Sequence, residues 1–180
     1  MSKYCISYAL SSIDIMHILK NETNIIEYNQ LYNVYNIDDI LKNGSCVILY
    51  TTKRENGLSS GHWCCVVALK NKICFFDPYG YIIDDEIKNF IDTDFGDNYY
   101  KSKRLLHLIY YSKYKNIEYN SVPLQEMKEG VNTCGRHVCC FIMYMHIGLN
   151  NYIKMIKKLI KKKIFRNADM AVLNITNELI

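Results

Sequence analysis

The sequence predicts an α+β fold in a single domain spanning residues 1–180, and three observations carry that prediction. Continuous apolar runs of strand length fill the middle of the chain, the segment from Cys134 to Ile147 is apolar almost all round, and a basic amphipathic helix follows it. A sheet with one helix buried in the core and others flanking it satisfies all three.

Each element follows in chain order. Ser12 is placed to cap a helix over Ile13 to Leu19, and Ile37 to Leu41 makes a short helical turn before Asn43-Gly44 breaks it. Cys46 to Thr52, Cys64 to Leu69 and Ile73 to Phe76 are expected as buried strands, the last two joined at Lys70-Asn71. Asp84 to Ile91 is expected as a helix, Leu105 to Tyr111 as a further strand and Ile117 to Tyr119 as another. Asn132 or Thr133 can cap the buried helix and Gly148 can end it, while Asn151 to Phe165 forms the last helix.

Composition narrows the classes of function. At 180 residues and 49% hydrophobic content the chain supports one core, not two. Eight cysteines would suit a disulfide framework, yet Cys64-Cys65 and Cys139-Cys140 lie inside apolar runs and no secretory leader precedes them. The expectation is reduced thiols in a soluble, intracellular monomer. No run approaches the ~20 apolar residues of a membrane span, so no membrane partner is expected. Rich use of Asn, Ile, Lys and Tyr hints at an AT-rich coding source such as a virus or parasite.

Chemistry concentrates in three segments, Gly61-His62-Trp63, Phe75-Phe76-Asp77-Pro78-Tyr79-Gly80 and Asn132-Thr133-Cys134-Gly135-Arg136-His137. In that order they offer a base, an orienting carboxylate and a nucleophile. If Lys70-Asn71 is a two-residue turn, Asp77 lies opposite Cys64, and His62 is its diagonal neighbour on the same face, about 7–8 Å along the ladder. A three-residue turn would put them on opposite faces. Each alone has a plainer reading, His62 as a satisfied strand histidine and Asp77 as a turn opener. Cys134 shifts the balance, because the first turn of a helix is where backbone N–H groups and the dipole favour a thiolate. Gly135 keeps its surroundings open, the Cys134 N–H can donate to an oxyanion, and Gln125 can supply a second donor. The other cysteines are expected as core filler. His137, one turn beyond Cys134, is a rival base without an evident carboxylate in the sequence.

Taken together, His62-Trp63, Asp77 to Gly80, Gln125 and Cys134-Gly135 resemble the adenovirus maturation protease and SUMO-specific protease family of cysteine proteases, over roughly residues 10–148. Arg136-His137 is most like members from large DNA viruses and virophages. The Gln125 to Cys134 spacing is longer than that family's pattern, with Gly130 available to fold the extra loop. The resemblance implies a papain-like cysteine protease fold of the adenovirus-protease type, with a central mixed sheet, a buried helix carrying the nucleophile and flanking helices. It implies a thiol endopeptidase with His62 as base, Asp77 as its orienter, Gln125 as oxyanion donor and Cys134 as nucleophile. The expected role is viral maturation, with structural or capsid precursors cleaved at Gly-Gly-type sites in a viral particle or host-cell assembly site. Trp63, beside the base, is expected to narrow the substrate slot. No cofactor is required, and activation by DNA or a peptide is left open.

Rival readings share these residues. They are processing of ubiquitin-like proteins, acyl transfer on the same fold, and a non-enzymatic capsid- or nucleic-acid-binding module. A zinc site drawn from His62, Cys64, Cys65, Cys134, His137 and Cys139 lacks a second CxxC-like pair and is set aside, so no metal is expected. Lys154, Lys157, Lys158, Lys161 and Lys162 recur at helical spacing opposite Ile153, Ile156 and Ile160. Such a face is ordinarily just solvated, but within a net charge of +4 it is a concentrated patch for sequence-independent phosphate contacts.

Overall fold

Leu69 pairs with Lys72 across a two-residue turn at Lys70-Asn71, with Lys70 at φ 47°, and this hairpin sets the register of the sheet. The computed structural model describes residues 5–53, 59–85 and 103–180. The hairpin joins β3 (Ser59–Leu69) to β4 (Lys72–Phe76). β2 (Ser45–Lys53) runs antiparallel to β3, while β1 (Asn24–Glu27) and β5 (Asn116–Tyr119) lie parallel to β2 and β4 at the two edges. The sheet order is β1-β2-β3-β4-β5, a mixed sheet.

Strand alternation sorts the core onto two faces. Trp63, Cys65, Val67, Cys74 and Phe76 pack with the helical residues Val138, Phe141 and Tyr152, whereas Cys64, Val66, Ile73 and Phe75 pack with Tyr28, Leu31, Leu105 and Ile109. Burial on both faces is why these strands lack a polar alternation in the sequence.

Five helices surround the sheet among the described residues: α1 (Ser12–Ile18), α2 (Arg104–Tyr110), α3 (Cys134–Met143), α4 (Leu149–Lys161) and α5 (Ala168–Asn177). Every residue of α3 from Cys134 to Ile142 is buried, as an all-round apolar helix requires. None of the helices in this region of the chain is long and apolar enough to cross a membrane, among the described residues.

Several expectations are corrected. The cap of α1 is Ser11, not Ser12: its hydroxyl accepts from Asp14 N at 3.2 Å, and the Asp14 carboxylate accepts from Ser11 N at 3.0 Å. Only Ser11 has an acid three residues on, which this reciprocal cap needs. Leu105 to Tyr111 is not a strand but α2, burying Leu105, Leu108 and Ile109 at helical spacing. Its local N-cap, Lys103, is left-handed at φ 38° and supplies no side-chain bond; Asp84 instead accepts from Leu106 N at 2.9 Å. A cap brought from elsewhere in the chain leaves no local start signal.

The buried helix stops at Met143, and a 3-10 turn, Met145–Ile147, completes the apolar run. Gly148, at φ 79°, then opens α4, which starts earlier and ends earlier than expected. The short helical turn expected over Ile37 to Leu41 is a 3-10 turn confined to Ile37–Asp39. β1 and α5 had no counterpart in the expectations, although Asn167 caps α5 by accepting from Met170 N at 2.9 Å. Of the helix expected over Asp84 to Ile91, only the turn at Asp84-Asp85 falls within the described residues.

Candidate active site

The hairpin register brings Asp77 level with Cys64, and His62 one pair along the same face. His62 Nε2 lies 3.3 Å from Asp77 Oδ1, with the two side chains 1% and 0% exposed. A carboxylate only accepts, so Nε2 carries a proton directed at Asp77. Asp77 is itself held on several sides. Its Oδ1 accepts from Tyr79 N at 2.6 Å and its Oδ2 from Cys64 Sγ at 3.2 Å. Asn120 clasps its backbone, accepting from Asp77 N at 2.9 Å and donating to Asp77 O at 2.5 Å.

Asp77 to Gly80 is a tight turn closed by Gly80 N donating to Asp77 O at 2.9 Å. Gly80 adopts φ 77°, and a Cβ there would lie 2.8 Å from Pro123 N, so only glycine admits both the turn and the 122–125 loop. That loop docks through Pro78 O, which accepts from Leu124 N at 2.9 Å and Gln125 N at 3.0 Å. Gln125 is thereby placed beside the turn, buried, with Nε2 donating to Tyr79 OH and to Val131 O, each at 3.1 Å. The Tyr79 ring stacks on His62, centroids 4.6 Å apart and planes 15° from parallel.

Cys134 opens α3 and is buried. Neither expected side-chain cap is made. The Thr133 hydroxyl donates to Asp169 Oδ1, and Asn132 Nδ2 donates to Ser7 O at 2.9 Å. Asp169 Oδ1 also lies 3.1 Å from His137 Nε2, and its Oδ2 accepts from Glu126 N at 3.1 Å. His137 therefore does have a carboxylate partner, supplied by α5. Burial pushes the Asp169 carboxyl up, but His137, Thr133 and the Glu126 N–H together hold it below its ordinary value. A Cβ on Gly135 would lie 3.3 Å from Trp63 Cδ1, so the chain neighbours of Cys134 and His62 touch.

No family model matches the chain. Uncharacterized protein V9 of Sputnik virophage is 32% identical over 159 residues, which cover 86% of this chain and 86% of V9. The chain belongs to the same family as V9. Two solved structures are also similar to this V9-family chain. A SUMO protease Ulp1 structure, with its catalytic cysteine oxidized to a sulfinic acid, shares 13% identity at TM-score 0.37, covering 97% of this chain and 81% of that one. ChlaDub1 from Chlamydia trachomatis shares 14% identity at TM-score 0.32, covering 75% and 61% respectively.

Elsewhere in the V9-family chain, Trp63 is 6% exposed and its indole N–H donates to Leu10 O at 3.0 Å. Its remaining edge lines a cleft of about 620 Å³ with Ser11, Met16, Ile25 and Leu49; neither His62 nor Cys134 belongs to that lining. Lys154, Lys157, Lys158, Lys161 and Lys162 are all exposed, while Ile156 on the opposite face is buried. Burial pushes the thiols of Cys46 and Cys74 up to about 12 and those of Cys65, Cys139 and Cys140 upward as well, so all five stay protonated and pack as small hydrophobes.

His62, Cys64 and Asp77 offer nitrogen, sulfur and oxygen donors within 4.8 Å of one another, a set whose chemistry suits zinc. Hydrogen bonds to Asp77 account for their closeness. The residues that hold this cluster together and that the sequence did not single out are Asn120, Asp169 and Tyr79. Tyr79 stood inside the Asp-Pro-Tyr-Gly motif, whereas Asn120 and Asp169 carried no local signal.

Proposed function

We propose that this V9-family protein is a cysteine endopeptidase with Cys134 as nucleophile, His62 as base, Asp77 as its orienter and Gln125 as oxyanion donor. The supporting observation is the buried His62–Asp77 pair, linked through Tyr79 to Gln125. In the reaction, His62 Nδ1 takes the Cys134 thiol proton as Sγ attacks the scissile carbonyl carbon. The C–N bond then breaks, the amine leaves with the proton from His62, and water hydrolyses the thioester. Uncapped N–H groups at the start of α3 favour the thiolate and, with Gln125, the oxyanion.

The substrates best matched to the motif resemblance are structural precursors of a virus, cut at Gly-Gly-type sites in a particle or at a host-cell assembly site. Ubiquitin-like precursors are the competing substrates. Incubating the protein with capsid precursors and with ubiquitin-like precursors, then sequencing new N-termini, separates the two. Cys134→Ala is expected to abolish turnover and labelling by a thiol-directed probe, while Cys139→Ala and Cys140→Ala retain both. Turnover that survives Cys134→Ala would remove this reading, and acetyl-coenzyme A turnover without cleavage would favour acyl transfer.

The exposed lysines of α4 favour a second role beside catalysis. A row of cations with a buried reverse face suits nucleic-acid phosphates of any sequence, and such contact would serve to guide or activate the enzyme.

A further inference from the structure

Tyr79 meets three of the four residues to which catalysis is assigned, each with a different part of itself. Its N–H donates to Asp77 Oδ1, its ring lies flat on His62, and its hydroxyl oxygen accepts from Gln125 Nε2. The first two contacts hold the base in place. The third acts on the oxyanion donor, and its effect is opposite in kind.

The orientation of the Gln125 carboxamide is fixed by chemistry. Val131 O, 3.1 Å away, cannot donate, so the amide nitrogen must face it. That nitrogen has two hydrogens, one directed at Val131 O and the other at the Tyr79 hydroxyl. With both engaged, neither is aimed at a substrate oxygen. Val131 O belongs to backbone in a turn closed by Val131 N donating to Lys128 O at 3.1 Å. The Tyr79 hydroxyl sits at the end of a half-buried side chain. Of the two acceptors it is the one able to yield.

We propose that the Tyr79 hydroxyl is a resting-state stand-in for the substrate oxyanion, occupying the Gln125 N–H until the scissile carbonyl oxygen replaces it. The ring then supports catalysis while the hydroxyl restrains it. No covalent bond changes in this exchange; one hydrogen bond to Gln125 is traded for another as negative charge builds on the substrate oxygen. The inference rests on the cysteine endopeptidase reading.

Tyr79→Phe isolates the hydroxyl, since ring and backbone N–H remain. With a Gly-Gly peptide amide of aminomethylcoumarin, Tyr79→Phe is expected to raise kcat/KM about fivefold, the worth of one net hydrogen bond. A Gly-Gly peptide aldehyde, which adds to Sγ and leaves a tetrahedral oxygen in the same place, should bind tighter by a similar factor. Tyr79→Ala removes the ring too and should fall below wild type. In a Gln125→Ala background, Tyr79→Phe should change neither readout, which a general packing role would not produce. A Tyr79→Phe rate at or below wild type, or a gain that persists without Gln125, overturns the inference while leaving the endopeptidase intact. Absence of Cys134-dependent turnover in the wild type removes the endopeptidase reading and this inference with it.

Discussion

His137 and Asp169 form a second buried histidine–carboxylate pair, Nε2 to Oδ1 3.1 Å, with the histidine on the helix that Cys134 opens and the carboxylate in the first turn of α5. The same carboxylate receives the Thr133 hydroxyl and the Glu126 N–H. Thr133 precedes Cys134 and Glu126 follows Gln125, so one side chain tethers the segments that carry Cys134 and Gln125.

Asp169→Asn is therefore expected to lower stability by about 2–4 kcal/mol, because the hydrogen bonds that remain on the amide oxygen lose their charge and the NH2 group leaves one buried donor without its acceptor. The Asp169 pKa is lower folded than its ordinary value. Such a carboxyl adds stability above its unfolded pKa of about 3.9 and loses it as pH falls through the folded value. Thermal melts should show the wild-type advantage over Asp169→Asn in full near pH 7 and narrowing below about pH 4. A gap that is independent of pH would place the effect in packing.

If His62 is the base proposed above, His62→Ala should reduce kcat by about 10³, with Asp77→Asn milder because an amide oxygen still accepts from Tyr79 N. Gln125→Ala should cost ~100-fold in the chemical step. Single-turnover kinetics on the Gly-Gly peptide measure all three, and a Gln125→Ala effect of only a few-fold would assign the oxyanion donor elsewhere in the 126–133 loop.

Replacing Lys157, Lys158, Lys161 and Lys162 by Ser should flatten the salt dependence of duplex DNA binding without altering cleavage of a short peptide. Fluorescence anisotropy at graded salt reads this directly. No binding by the wild type at low salt would leave those lysines as a solvated face.

Trp63→Ala should destabilise the protein by about 3–5 kcal/mol, since the indole fills the space between Leu10 and Gly135. Where the variant still folds, a peptide library tests the slot: acceptance of Ala or Ser at the scissile position supports it, and an unchanged Gly-Gly preference assigns Trp63 to packing alone.

The His62–Asp77 pairing of the candidate site was legible because its geometry is local. A two-residue turn between two apolar runs fixes which residues oppose one another, and the diagonal relation of His62 and Asp77 follows from that count. The elements that were not legible depend on partners distant in sequence. α2 begins without a cap of its own and borrows Asp84, so its leucines and tyrosines look like strand. The clasp of Asn120 on Asp77 arises only because β5 lies parallel to β4, and pairing across the sheet leaves no trace near Asn120. Thr133 looked like a helix cap because its residue type suits one, but its backbone at φ -100°, ψ 4° is not the extended conformation of a cap, and its hydroxyl donates to the buried Asp169 carboxylate.

The tether from α5 also imposes an order in time. Asp169 is encoded well after Cys134, and a growing chain folds from its N-terminal side as it emerges. Cys134 consequently leaves the ribosome before the carboxylate that tethers its segment, and the 126–133 loop cannot reach its final arrangement until residues 168–177 have been made.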